Sequence, residues 1–189
     1  MTTFRRFDVI SRILRLTSVE SAVFATTGET AREALKAGSK DHLFFPCVGG
    51  MGHASSVAYG YALQTNRPTV CLDGDGALLM HLGALTSITS SIDINFTHFL
   101  FDNGCHLSVG GNKTSGIHLN YLDLARSLKY QYVTKLEHLD QLKEEIGLGN
   151  IHSPKTRFVY VPVLAVREKD LPRPTNLSTF VEKFRENWN

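Results

Sequence analysis

Nowhere in the sequence do 18 apolar residues follow one another, so no stretch reads as a membrane-spanning helix. Cysteine is scarce. Cys47, Cys71 and Cys105 lie 24 and 34 residues apart with no C-x-x-C pair, and the odd count argues against a disulfide framework as well as a zinc or dithiol centre. The eight histidines show no H-E-x-x-H spacing. Charge of one sign is not in excess either. Twenty Lys and Arg against 18 Asp and Glu leave +2 with the signs interspersed, which gives no basic stripe for nucleic acid and no acidic tail. The opening Met1-Thr-Thr-Phe-Arg-Arg-Phe-Asp lacks the apolar core of a signal peptide, so a cytoplasmic location is expected. What is present is ordinary globular material: 189 residues, 42% hydrophobic and 20% charged, of a size for one domain.

Along the chain, apolar runs alternate with helical spacing. Phe4, Phe7, Ile10, Ile13 and Leu14 mark an amphipathic first helix. Ala22 to Thr26 reads as a buried strand, and Thr30 to Leu35 as a helix closed by Gly38. Leu43 to Val48 is a second strand, followed by Gly49-Gly50-Met51-Gly52 and a helix rich in small residues from Ala54 to Gln64. Thr69 to Leu72 is a strand running into Asp73-Gly74-Asp75-Gly76, with a helix expected over Ala77 to Ile88. Strands are expected at Phe96 to Phe101, Tyr130 to Thr134 and Arg157 to Leu164, and helices at Tyr121 to Leu128 and Leu136 to Ile146. Such alternation implies an α/β fold, a doubly wound parallel sheet with helices on both faces. Residues 1–175 form the expected domain. Residues 176–189 read as an amphipathic helix packed on it or on a partner.

Ligands of such sheets sit beyond the C-terminal strand ends, where this chain gathers its unusual residues. Gly74-Asp75-Gly76 joins a strand to a helix. Glycines admit an anion close to the backbone, a helix start offers free N–H groups, and Asp75 adds a hard oxygen suited to magnesium. Asn103 follows after 26 intervening residues, enough for one helix and one return strand, so its side-chain oxygen would reach the same ion from the next strand end. The backbone carbonyl of Cys105 is a third candidate ligand.

This spacing resembles the thiamin diphosphate motif. Thr27-Gly28-Glu29-Thr30-Ala31-Arg32-Glu33, Val48 to Ser55, Asp73 to Ala77, Asn103-Gly104-Cys105-His106 and Ser108 to Gly111 further resemble the phosphonopyruvate and sulfopyruvate decarboxylase family, in its C-terminal half or β subunit. Asp102, Cys105 and Asn112-Lys113-Thr114 depart from the family pattern. The resemblance implies the diphosphate-binding fold of these enzymes, with thiamin diphosphate and Mg2+ as cofactors. It implies cofactor contacts from Gly28, Thr30, Gly50, Met51, Gly52, His53, Gly74, Asp75, Gly76, Ala77 and Asn103, with Met51 supporting the thiazolium. His53 and His106 are the candidate proton-handling residues, and Ser108, Gly110, Gly111 and Lys113 the candidate anion nest for substrate.

In that family the glutamate that activates the cofactor lies on a separate pyrimidine-binding domain, for which this length leaves no room. A separate α subunit, assembled in αβ pairs, is therefore the expected partner. The expected substrate is a 3-substituted pyruvate, with phosphonopyruvate ahead of sulfopyruvate. A related thiamin enzyme acting on another oxoacid and a non-catalytic subunit that kept the fold are the alternatives.

Overall fold

The computed structural model describes residues 3–65, 67–88, 94–146 and 155–188. In chain order the elements are α1 (Arg6–Leu16), β1 (Ala22–Thr26), α2 (Glu29–Lys36), β2 (Leu43–Cys47), α3 (Ala54–Thr65), β3 (Thr69–Gly74), α4 (Asp75–Met80), β4 (Phe96–Asp102), α5 (Tyr121–Ser127), β5 (Tyr132–Lys135), α6 (Leu142–Ile146), β6 (Thr156–Pro162) and α7 (Leu177–Glu186). Six parallel strands form one sheet in the order β2-β1-β3-β4-β6-β5.

Alternate side chains of each strand enter opposite layers, because successive Cβ atoms of a strand point to opposite faces. Val23, Ala25, Val70, Leu72, Phe99 and Phe101 meet the apolar stripes of α1, α2 and α6, among them Ile10, Ile13, Ala34 and Leu142. Ala22, Phe24, Cys71, Phe96, Leu100 and Phe158 meet α3, α5 and α7 through Ala58, Ala62, Ala125 and Phe184. Burial on both faces is why the strands read as continuous apolar runs. The chain moves outward from β1 to β2 on one side and returns to β3, β4 and β6 on the other. The direction of winding thus reverses between β1 and β3, and the crevice beyond their C-terminal ends is where such sheets take ligands.

Three expected elements differ. The helix over Ala77 to Ile88 is interrupted: α4 stops at Met80, His81 takes φ −138° and ψ 45°, and a 3-10 segment runs over Leu82–Ser87. The helix expected from Leu136 begins later. The Leu136 N–H still bonds to the Tyr160 carbonyl as an extension of the β5 ladder, and the side chain of Gln141 takes up the N–H groups of Glu137 and His138 before α6 starts. The strand expected from Tyr130 starts at Tyr132, and the Tyr130 ring turns into the core against Phe158. The C-terminal helix α7 lies on β2, with Phe184 packed among Phe24, Phe45 and Tyr61.

Candidate functional site

Beyond the ends of β1, β3 and β4 lies a cavity of about 50 Å³. Its floor is the turn where β3 becomes α4. Gly74, Asp75, Gly76 and Ala77 line it from below; Thr26, Thr30 and Met51 line one side, and Asn103, Cys105, His106 and Ser108 the other.

Asp75 is buried. Its Oδ2 accepts a hydrogen bond from the Thr114 hydroxyl at 2.6 Å. Burial pushes its carboxyl above the ordinary range and nearby Asp102 adds to this, while the Thr114 hydroxyl and the N–H groups of Gly76 and Asn103 pull the other way without cancelling it. A carboxylate held this way binds either a proton or a cation.

The segment that brings Thr114 to Asp75 is a small closed loop. Asp102 Oδ1 accepts the Gly104 N–H at 2.9 Å, and Asn103 Oδ1 accepts the Cys105 N–H at 3.0 Å, so that oxygen already serves its own turn. The other Asp102 oxygen accepts from the Tyr160 hydroxyl at 2.8 Å. Cys105 pairs with Lys113, the His106 N–H bonds to the Asn112 carbonyl at 2.8 Å, and the Thr114 N–H returns to the Gly104 carbonyl at 3.0 Å. The His106 ring lies so close over the turn that a Cβ on Gly76 would sit 2.6 Å from its Nδ1. A side chain at position 76 would have to displace the His106 ring.

Arg6 and Glu29 also line the cavity, as part of a buried ion cluster that sequence reading did not single out. Arg6 grips Glu33 with two bonds of 2.8 and 2.9 Å and Glu29 with one of 3.0 Å. Burial works against its charge, but Glu33 and Glu29 more than offset that and hold the guanidinium charged. Glu29 also faces Arg167 at 3.4 Å, and Arg167 donates to the Leu107 carbonyl in the loop. The i, i+4 spacing of Glu29 and Glu33 was the available signal, yet nothing in it pointed to Arg6.

Other expected residues lie farther out. Gly50, Gly52 and His53 are outside the cavity lining. Gly52, at φ +85°, packs so tightly that a Cβ would be 2.5 Å from the His81 Nδ1, and the exposed His53 ring stacks on His81 with 3.9 Å between centroids. Gly28, at φ +91°, precedes α2 with its open side facing Ser108, 3.7 Å from where a Cβ would be. Gly110, Gly111 and Lys113 are exposed on the outer turn of the loop.

Does this arrangement suit a metal-bound diphosphate? The Thr26 hydroxyl supplies one observation. It is buried in the cavity wall and has no hydrogen-bond partner among the described residues, which is costly unless something else satisfies it. Gly74 and Gly76 add no side chain of their own to the floor, and Asp75, Thr26 and Thr30 offer hard oxygens there, with the Arg6 guanidinium also in the lining. These residues fit such a group: Asp75, with Asn103 and the Cys105 carbonyl beside it, for the cation, and Thr26 with Thr30 for the anion.

Comparison with known proteins points the same way. The family described as thiamine pyrophosphate enzyme, C-terminal TPP binding domain, matches residues 25–147. Phosphonopyruvate decarboxylase of Streptomyces hygroscopicus is 33% identical over 169 residues, covering 89% of this chain and 42% of that protein. The chain therefore spans about two fifths of that relative's length. Sulfopyruvate decarboxylase subunit beta of Methanothermobacter thermautotrophicus is 31% identical over 156 residues, covering 82% of this chain and 80% of that subunit. An X-ray structure from Mycobacterium smegmatis, assigned as a thiamin diphosphate-dependent enzyme, superposes with a TM-score of 0.68 at 19% identity over 86% of this chain and 32% of its own, a likeness of fold. No described helix is long and apolar enough to cross a membrane.

Proposed function

The chain belongs to the thiamine pyrophosphate enzymes, whose C-terminal TPP-binding domain it carries, and from that premise we propose that it is the diphosphate- and magnesium-binding part of a decarboxylase acting on a 3-substituted pyruvate. The observation that carries this reading is the meeting, at the reversal point of the sheet, of the Asp75 carboxylate, the Gly74–Gly76 floor and the unpartnered Thr26 hydroxyl in one cavity.

When bound, the cofactor supplies the carbon nucleophile and the electron sink that decarboxylation needs. The chain's own residues do the holding. Asp75 and Asn103 take the magnesium ion, with the Cys105 carbonyl, while Thr26, Thr30 and the backbone after Gly28 take the diphosphate. Because burial raises the Asp75 carboxyl, a proton competes with the metal, and loading weakens on acidification. Met51 supports the cofactor ring from the cavity wall, and His106, across the Gly76 floor, is the nearest imidazole to donate or accept a proton. Ser108, Gly110 and Lys113 present O–H, N–H and ammonium donors to the anionic end of the substrate, while the Gly111 N–H bonds to the His106 carbonyl at 3.0 Å and shapes the loop.

Cavity size argues for a partner. A volume of about 50 Å³ is far below the roughly 300–1,000 Å³ of sites that enclose small molecules. The remaining walls, and the acidic group that activates the cofactor, come from a separate pyrimidine-binding chain paired with this one in the cytoplasm. Glu29 and Glu33 do not replace that group, because both are committed to Arg6.

Phosphonopyruvate is the first reading, supported by the donor-rich loop at Ser108 and by the Streptomyces relative. Sulfopyruvate is the second, supported by the fuller coverage of the Methanothermobacter beta subunit. The test mixes this chain with a pyrimidine-binding subunit and measures carbon dioxide release from phosphonopyruvate, sulfopyruvate and pyruvate. Release from a 3-substituted pyruvate, dependent on both chains and lost in Asp75→Ala, is expected. Full activity of this chain alone, or equal turnover of plain pyruvate, overturns it.

A further inference from the structure

Beneath the metal-binding turn, inside the sheet, lie polar groups that neither packing nor the proposed chemistry accounts for. Asp73 and His98 are both fully buried, on β3 and β4. Asp73 Oδ1 accepts the N–H of Gly74 at 2.9 Å, the residue that opens the Gly74-Asp75-Gly76 turn. Its Oδ2 faces the His98 Nε2 at 3.4 Å, longer than an ordinary N–H···O bond, and neither atom has a closer partner among the described residues. On its other side the His98 Nδ1 lies 3.0 Å from the Tyr130 hydroxyl. Aromatic rings close the surroundings, with Phe158 edge-on to the imidazole at 5.3 Å.

We infer that His98 and Tyr130 are positioning residues for the metal-binding turn, acting through Asp73. This rests on the reading of Asp75 as a magnesium ligand. The polarity of the chain follows from elementary electrostatics. A carboxylate oxygen cannot face a bare imidazole lone pair in a water-free interior, so Nε2 carries the proton and points it at Asp73. In the neutral ring Nδ1 is then an acceptor, and Tyr130 donates its hydroxyl proton to it. A buried carboxylate with one other hydrogen bond depends on this neighbour. With Oδ2 facing His98, Oδ1 is aimed at the Gly74 N–H and fixes the rotation of the Asp73–Gly74 peptide, one residue before Asp75. Outer hydrogen bonds made directly to metal ligands change metal binding by about 10- to 100-fold, which sets the upper end of the effect expected from a bond one residue before Asp75.

Cys71 stands beside this pair, and the ligand atoms of Cys71, Asp73 and His98 lie within 4.8 Å of one another. The proposed contact of Asp73 with His98 at 3.4 Å, bonded outward to Gly74 and Tyr130, needs no ion. It leaves the Cys71 thiol as an uncharged core group, with burial and then Asp73 raising its proton affinity well above the ordinary range.

The experiment titrates the full chain, paired with a pyrimidine-binding subunit, with thiamin diphosphate at fixed magnesium concentration, following binding heat for the parent, Tyr130→Phe and His98→Gln. Each is measured well below its own melting temperature. We expect binding weakened about 3- to 10-fold in Tyr130→Phe and about 10- to 100-fold in His98→Gln. A control, Phe158→Leu, loosens the same layer without touching a hydrogen bond and is expected to bind as the parent does. Nitrogen-15 spectra of the apo chain should show the proton of His98 on Nε2. The inference is overturned if the variants melt earlier yet bind as tightly as the parent, if the proton sits on Nδ1, or if the purified chain holds a stoichiometric transition metal at Cys71. If His98→Gln does not fold, Tyr130→Phe, which deletes one hydroxyl, decides alone. A parent that binds no thiamin diphosphate refutes the proposed function instead, and is recognised as such because the parent itself fails.

Discussion

The same three strands end in two cavities of opposite character. At the N-terminal ends of β1, β3 and β4 a hollow of about 110 Å³ is lined by Thr17, Ser21, Pro68, Thr69 and Asn95 among others; at the C-terminal ends the hollow is less than half that size. In the larger one the polar groups serve the fold itself. The Thr17 hydroxyl bonds to the Ile13 carbonyl at 2.8 Å, that of Thr69 to the Arg67 carbonyl at 2.9 Å, and the Thr69 N–H to the Asn95 carbonyl at 2.9 Å. In the smaller one the Thr26 hydroxyl has no partner among the described residues and Asp75 is buried against its chemical preference. Volume records what packing left over. An unpartnered hydroxyl and a buried carboxylate that line one cavity at a strand-end crevice favour a ligand there.

The sharpest break of this comparison is a pair of substitutions on β3 and its exit. Asp75→Ala should abolish magnesium-dependent binding of thiamin diphosphate, while Thr69→Val, at the other end of that strand, should leave binding intact; calorimetric titration of both checks it. Retained binding in Asp75→Ala would place the cation elsewhere. Next in size is Arg6→Met. It removes the one guanidinium between Glu29 and Glu33 and leaves two buried carboxylates facing each other, at a cost of about 3–5 kcal/mol in urea denaturation. A loss under about 1 kcal/mol would mean that the cluster is not part of the rim's support.

That cluster also shows where sequence reading stops. The strands were legible because burial on both faces writes them as unbroken apolar runs, and the nearness of Asp75 and Asn103 at one cavity because the segment between them returns to a neighbouring strand tip. The contact of Thr114 with Asp75 spans 39 positions, and that of Arg6 with Glu33 spans 27 and joins two helices that only the folded sheet brings together. No period within an element encodes either. His98 was passed over for the same reason, since on β4 it reads as one more residue of an apolar strand. The break after α4 arose from tertiary packing overriding local spacing: His81 leaves the helix to stack on His53, beside a glycine that admits no side chain.

A matched pair of smaller changes separates the two strand ends directly. Thr26→Val removes a buried hydroxyl that has nothing to bond, so the unliganded chain should gain about 1 kcal/mol of stability while cofactor affinity falls about fivefold. Thr17→Val removes a hydroxyl that is bonded to Ile13, so stability should fall by about 1 kcal/mol with affinity unchanged. Melting and titration of both variants give four numbers. If Thr26→Val loses stability as Thr17→Val does, its hydroxyl was already satisfied and the contrast between the ends disappears.

The smallest expected effect concerns a buried carboxylate with no proposed ligand. Glu145 on α6 is buried beside Tyr132, whose hydroxyl lies 3.4 Å from its Oε1. Burial pushes its carboxyl above the ordinary range and Glu144 adds to this, while Tyr132 and Arg157 only partly oppose it. An acid whose proton is held more tightly in the folded chain than in the unfolded one favours folding at low pH and loses that contribution as pH rises through its folded value. Glu145→Gln, which keeps the shape without the charge, should therefore melt slightly higher than the parent at pH 7, by a fraction of a kcal/mol, with the gap closing towards pH 4. Melting curves of the two proteins across that range check the sign. A gap that is constant with pH, or reversed, would mean that Arg157 stabilises the ionised Glu145 by more than burial costs, and that a buried carboxylate in this fold does not need a ligand to be at ease.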